Sequence, residues 1–318
     1  MVKQRRWRWI VGWAILAVLV AVAASGLDWP RVLSAASEAE TGWLAAAVLA
    51  NASVLFLATA EWLLFVPAGA SVSARTMFSI VAVTATVSNG APLLAGHVTG
   101  VHLLATRGGL GPAGGVSVTI LDQIAEGLAK WTLLVLAIAL VPNFEYRTSG
   151  MTILLGAPAL AFGFAVLAHR ADFLDCLARE AGGRTRALFG FLSQTVHRLD
   201  AIRSPGLFGL GLALAIAKKA AEGLAIAAIA LALGVDLLPW HVVGAVLAVS
   251  LSTAVSITPA NLGVYEGSLV LVFRAAGVET GLALALALLS HVAFLLPIAG
   301  PGLVLESLRI WRGLREDN

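Results

Sequence analysis

One cysteine, Cys176, stands in 318 residues. A lone thiol closes no internal disulfide and builds no cysteine-based metal site. Charge is equally scarce. Asp, Glu, Lys and Arg make up 12% of the chain, against about 25% in an ordinary soluble domain. No polar stretch is long enough to build a water-soluble core of its own. No phosphate-cradling loop of the nucleotide-binding type is present, so nothing points to ATP hydrolysis. No Gly-x-Ser-x-Gly elbow presents a serine nucleophile, and the scattered His97, His102 and His291 do not form a metal motif. The sequence therefore implies no cofactor, no metal and no enzyme.

What fills the chain instead is apolar. Hydrophobic residues reach 59% and the mean hydropathy is +0.91, the composition of an integral membrane protein. Alanine is abundant and there are 32 glycines, small residues that let helices approach closely in lipid. The net charge of +3 gives no reason to expect nucleic acid. The basic residues flank apolar runs, where they set orientation.

Lys3, Arg5, Arg6 and Arg8 precede the run Ile10 to Ala24 and place the N-terminus in the cytoplasm. Ala21-Val22-Ala23 before Ala24-Ser25 could pass for a signal-peptide cleavage site, but an uncleaved first span is the preferred reading. Leu27 to Thr41 reads as a polar outer connection. Spans are expected at Gly42 to Val66, Ala113 to Val141, Met151 to Ala168, Gly206 to Val235 and Gly281 to Glu306. With the first, they make about six spanning helices in an all-α polytopic membrane protein. Arg170, Arg179, Arg184, Arg186, Arg198 and Arg203 fix residues 169–205 in the cytoplasm, as helices lying on the membrane surface. Arg309, Arg312 and Arg315 hold the C-terminus there too.

Two segments do not fit this scheme. Thr76 to Thr106 and Trp240 to Gly277 are each too short for two crossings, which need about 40 residues. Each is broken in its middle, at Ser88-Asn89-Gly90-Ala91-Pro92 and at Thr258-Pro259-Ala260-Asn261. Non-helical backbone survives at membrane depth only where protein buries it or a wet cavity takes it. Both segments therefore read as re-entrant hairpins, the first opening inward and the second outward. Span, hairpin, span then occurs twice, over 42–141 and 206–306, around the linker 169–205. That is an inverted repeat within one transmembrane domain, 1–318, with a site between the breaks.

Charges inside apolar runs mark candidate site residues. Asp122, Glu126 and Lys130 share one helix face at spacings of four. They form either a structural network in which Glu126 and Lys130 neutralise each other, or a headgroup or proton site. Lys218 and Glu222 make a second such pair. Lys218 is the candidate countercharge for Glu222 or Glu266, while Lys219 snorkels to the cytoplasmic face. Glu266 follows the second break and serves either the site or a helix N-terminus. Glu61 reads as merely interfacial. The substrate-binding set is Asn89, Pro92 and Asn261 from the breaks with Asp122, Glu126, Lys130, Lys218, Glu222 and Glu266.

The breaks and their flanks resemble the lysylphosphatidylglycerol synthase transmembrane (flippase-type) family, which includes the membrane half of the bacterial multiple peptide resistance factor. The resemblance runs from about Trp43 to Val278. A first family motif of Asn, Pro, Gly and an acid-x-x-Arg pair corresponds to Asn89, Pro92, Gly96, His97 and Gly100. A second, acid-Arg-x-x-acid, corresponds to Asp122, Gln123 and Glu126. The third, Pro-Gly-Gly-Leu-Gly-Val-x-Glu, is closest and reads Pro259-Ala260-Asn261-Leu262-Gly263-Val264-Tyr265-Glu266. The resemblance implies movement of a phospholipid or lipid-linked headgroup between leaflets of a bacterial or archaeal inner membrane. No synthase domain accompanies these motifs, so aminoacyl transfer is not implied. Glu61, Gly100, Gln123 and Tyr265 stand where many relatives carry Arg. With carboxylates outnumbering lysines, that favours a cationic or zwitterionic headgroup, or a proton relay. The expected partners are a membrane phospholipid and protons, with a lipid-synthesis enzyme and a second copy of the chain as further candidates. An intramembrane enzyme with paired carboxylates, or an accessory subunit of a lipid-modifying enzyme, is the alternative.

Overall fold

The computed structural model describes residues 29–91, 94–140, 163, 166, 171–199, 204–253 and 258–316. The expected first span, the outer loop 142–150, nearly all of the return span 151–168, and Pro92 lie outside these residues. Every regular element described is helical. Trp29–Glu38 forms α1, Thr41–Leu64 α2, Ala74–Gly90 α3, Ala95–Thr106 α4, Gly111–Leu140 α5, Ala171–Glu180 α6 and Gly183–His197 α7. Pro205–Ala232 forms α8, Pro239–Ser252 α9, Val264–Ala275 α10 and Thr280–Glu316 α11, with a 3-10 turn at Pro259–Asn261 before α10.

The chain is a polytopic all-α membrane protein. Three described helices, α2, α5 and α11 (to Trp311), are long and apolar enough to cross a bilayer. The 28 residues of α8 reach about 42 Å at 1.5 Å per residue, and only Lys218, Lys219 and Glu222 make it less apolar. α2, α5 and α8 begin and end within a few residues of the expected spans; α11 begins where expected but runs ten residues past Glu306, to Glu316. The connection expected over Leu27 to Thr41 is corrected: Trp29–Glu38 is helical and sets Val32 against Leu284 and Ala285 of α11.

α2 and α8 run antiparallel in long contact. At one end the Glu40 amide donates to the Ala232 carbonyl at 2.8 Å. At the other, the Phe65 ring lies over Gly211, where an added Cβ would sit 2.5 Å from the ring. α3 and α4 form an antiparallel pair, with Gly96 against Ser88 and Gly100 against Thr84. Ser73 caps α3, its hydroxyl accepting from the Thr76 amide at 3.1 Å. α3, α4, α9 and α10 have 17, 12, 14 and 12 residues. Each is shorter than the roughly 20 residues a crossing requires. α3 packs against the 3-10 turn of the second interruption.

α6 and α7 pack on each other, and α7 on α5, with Ser193 and Val196 buried. Arg198 donates to the Leu110 carbonyl at 2.9 Å and ties this pair to the start of α5. These helices therefore bury one face against the protein as well as bordering the surface.

α11 contains Pro297 and Pro301. A proline cannot donate to the carbonyl four residues before it, so Pro297 frees the Ala293 carbonyl. The Asn51 amide of α2 donates to that oxygen at 3.1 Å, replacing the missing backbone donor with a side chain from another helix. Asn51→Leu should therefore lower stability in detergent by about 1–3 kcal/mol, the cost of an orphaned buried acceptor. Pro297→Ala should shrink that loss by restoring the backbone donor. A thermal-unfolding cycle over the two positions that showed no coupling would disprove the assignment.

A charged cavity between two helix breaks

Three helices bring an ion network to the middle of the bundle. Glu61 comes from the last turn of α2 and is fully buried. Asp122, Glu126 and Lys130 come from α5, and Lys218, Lys219 and Glu222 from α8. Lys218 contacts Glu61 most closely, then Glu126 at 2.8 Å and Asp122 at 3.6 Å. Trp62 and Gln123 each donate to Asp122 at 2.9 Å. Lys219 pairs with Glu222 at 2.9 Å and with Glu126 at 3.4 Å. Glu126 thus bridges both lysines and locks α5 to α8, while Glu61 locks α2 to the same lysine.

This arrangement replaces several pairings expected from spacing. Glu126 is neutralised by Lys218 and Lys219 rather than by Lys130. Lys218 meets neither Glu222 nor Glu266. Lys219 is buried beside Glu126 and Glu222 and does not snorkel. Glu61 is sealed in the core rather than interfacial. Lys130 makes no ion pair among the described residues and lines a cavity instead.

That cavity, about 360 Å³, is bordered by both interruptions. Ser88, Asn89, Leu94 and His97 come from the first; Thr253, Asn261 and Tyr265 come from the second. Lys130, Lys219 and Glu222 form the charged side of its wall. Of the expected site residues, Asn89, Lys130, Glu222 and Asn261 border the cavity. Asp122, Glu126 and Lys218 form the ion network behind it, and Glu266 stands one residue removed. Asn89 donates back to the Ala85 carbonyl at 2.9 Å, holding its side chain on the last turn of α3.

Reading the sequence missed the rest of the wall. Asn51, Ser250, Ser290 and His291 line the cavity from apolar runs, and only the placement of a polar residue in mid-span could have flagged them. Ser250 and Ser290 are 4% and 2% exposed. Their hydroxyl oxygens, and Oδ1 of Asn261, have no hydrogen-bond partner among the described residues. Buried polar atoms are normally satisfied, so these three are places where water or a polar ligand completes the bonding. Among the described residues, no three His, Cys, Asp or Glu side chains are grouped to hold a metal.

The second break carries backbone strain. Ala260 and Asn261 have φ of 55° and 53°, and Gly263 has φ of 82°. Asparagine and glycine tolerate this region, but alanine does not. Glu266 ties the break to α10. Its Oε2 accepts from the Gly263 amide at 2.8 Å, and its Oε1 accepts from His291 Nδ1 at 2.6 Å. The capping role considered for Glu266 is thus filled by one oxygen of its carboxylate, and the other is engaged by His291. Tyr265 stacks on the His291 ring at 4.2 Å between centroids.

Fold and site together define a polytopic helical membrane protein with an internal charged cavity where two broken helix pairs meet. The chain belongs to the family described as the lysylphosphatidylglycerol synthase transmembrane region, whose sequence profile it matches over residues 9–302. That match extends beyond the stretch that carried the resemblance, at both ends. No curated protein and no solved structure matches the chain.

Two measurements check the site. Lys218→Met should leave three carboxylates without their shared cation and lower stability by about 3–5 kcal/mol, the usual result of breaking a buried pair. An unchanged thermal midpoint in detergent would contradict the network. Ala260→Gly should raise stability by about 1–2 kcal/mol by removing the left-handed penalty. A loss of stability would show that the turn is not strained.

Proposed function

We propose that the protein moves a phospholipid or a lipid-linked headgroup between leaflets by alternating access, with the cavity as its site. The carrying observation is that both helix breaks border one cavity, with α3 packed against the 3-10 turn. Paired interrupted segments in corresponding places are the usual pointer to a transporter's binding site. The antiparallel course of α2 and α8, the leading helices of the two halves, supports an inverted repeat. The short lengths of α3, α4, α9 and α10 support two re-entrant hairpins. In this reading both termini are cytoplasmic, as the arginine placement favours, and the membrane is a bacterial or archaeal inner membrane.

The cavity wall favours a zwitterionic headgroup over a purely cationic one. Three carboxylates that tipped the sequence balance, Glu61, Asp122 and Glu126, are turned to Lys218. Lys130 is the cation without an ion pair among the described residues and would take a phosphate. Glu222, shared with Lys219, would take an amine. The reading assigns no chemistry to the protein. An intramembrane enzyme would instead form product in detergent, without a bilayer. An accessory subunit would co-purify with a lipid-modifying enzyme and move no lipid alone.

In proteoliposomes, movement of fluorescent phosphatidylethanolamine should fall at least about tenfold in Lys130→Met and in Glu222→Gln, equivalent to about 1.4 kcal/mol or more. Wild-type rates in both folded variants would remove the cavity from the transport path.

A further inference from the structure

Three buried oxygens in the cavity wall lack the partners that burial demands. The hydroxyls of Ser250 and Ser290, both more than nine-tenths buried, and Oδ1 of Asn261 have no hydrogen-bond partner among the described residues. The three residues line one cavity, from α9, α11 and the second break. Leaving such atoms unpaired is costly, so the contents of the cavity complete them. Oδ1 of Asn261 can only accept. Its missing partner is therefore a donor or a cation.

The surroundings favour a cation. Two helices end at this cavity. Ser88 and Asn89 lie in the last turn of α3, and Ser250 and Thr253 lie in and just after the last turn of α9. A helix C-terminus carries partial negative charge and stabilises cations. α10 begins here, but the Glu266 carboxylate accepts from the Gly263 amide and covers that positive end. The start of α4 and Lys130 do bring positive charge to the wall. Yet in the wall and the network behind it, Glu61, Asp122, Glu126, Glu222 and Glu266 face only Lys130, Lys218 and Lys219. Carboxylates exceed lysines, and uncompensated charge at bilayer depth is expensive. Water alone would satisfy the three oxygens without relieving that excess. A cation does both.

We propose that the cavity binds a small monovalent cation of the sodium class, through the hydroxyl oxygens of Ser250 and Ser290 and the side-chain carbonyl of Asn261. Neutral oxygens beside interrupted helix ends are the donors that hold sodium where transporters break their helices. A divalent or transition metal fits less well. Such ions take clusters of carboxylate, imidazole or thiolate ligands, and among the described residues no three such side chains are grouped to hold one. The ion is held by lone pairs, and no covalent bond changes. Asn261 has a left-handed backbone, with φ of 53°, so an ion seated on its side chain ties the strained turn to α9 and α11. Binding follows from the cavity alone. Only the further step, that this ion couples to lipid movement, rests on the transport reading.

The test uses the purified full chain in detergent, with radiosodium as the probe in equilibrium dialysis. Binding should saturate, and unlabelled sodium should compete where N-methylglucamine does not. Ser250→Ala and Ser290→Ala should each weaken binding at least about tenfold, the loss expected when one oxygen no longer meets a charge. Asn261→Gly should do the same while keeping the left-handed backbone. In N-methylglucamine the two alanine variants should melt no lower than wild type, because deleting an orphaned polar atom is neutral or stabilising. That control separates lost binding from lost folding. Replacing N-methylglucamine by sodium should then raise the wild-type thermal midpoint, as a ligand of the native state does, and raise those of the variants less. Folded wild-type protein without saturable sodium binding, or wild-type affinity in all three variants, would overturn the proposal. Neither readout requires lipid movement. A chain that moves lipid and binds no sodium refutes this proposal alone, and a chain that binds sodium and moves no lipid refutes only the transport reading.

Discussion

Lys218 is the residue on which the interior depends. A charge at bilayer depth costs at least about 2.5–3.5 kcal/mol on insertion scales, and α8 alone carries three. The helix is tenable because its lysines face carboxylates on α2 and α5 at ion-pair distance. The same contacts determine how the three helices are rotated about their axes. Turning α8 by one residue would swing Lys218 about 100° away from Glu61 and strand a fully buried carboxylate. In lipid, apolar packing alone gives helices little rotational preference, so the ion network specifies the bundle where hydrophobicity cannot.

The backbone interruptions obey the same constraint through hydrogen bonds. At two places where the helical ladder fails among the described residues, a side chain takes over. Asn51 serves the carbonyl freed by Pro297, and Glu266 serves the amide freed at Gly263. Thr86 of α3 donates to the Ala299 carbonyl at 2.6 Å between the two prolines of α11. These donors and acceptors come mostly from other helices. Each repair therefore also serves as a cross-link, and the irregular backbone is held by the scaffold that encloses it. Left-handed Ala260 is the exception, a position where the family pattern has glycine and this chain accepts strain.

Much of this was legible in the residues. Apolar length gave α2, α5 and α8 closely, and the start of α11, because a span is a property of composition over about 20 positions. Proline and glycine gave both breaks, because each acts on its own backbone. The partners of Lys218 and Lys219 were not legible. Adjacent residues point in different directions on a helix, which suggested that one lysine must leave the core, but α8 is enclosed broadly enough to bury both. Ser250, Ser290 and His291 gave no signal either, since a single polar side chain in an apolar run does not say which face it occupies. α1 was hidden for a related reason. Its buried side is little more than Val32 and Ala35, too narrow a stripe to stand out from its polar neighbours.

The two charged assemblies are joined by α8 and the cavity rather than by direct contact. Lys219 belongs to both the sealed network, through Glu126, and the cavity wall, through Glu222. Across the cavity, the Glu266–His291 pair links the wall to the second break. A polar group entering between them meets, on one side, an ion pair backed by a rigid three-helix lock. On the other side it meets a pair whose carboxylate also holds a strained turn. The compliant side is the one attached to the break, since Ala260 and Asn261 already sit away from their backbone minima. On the proposed transport reading, differential contact with those two walls is what a ligand would use to shift a conformational equilibrium.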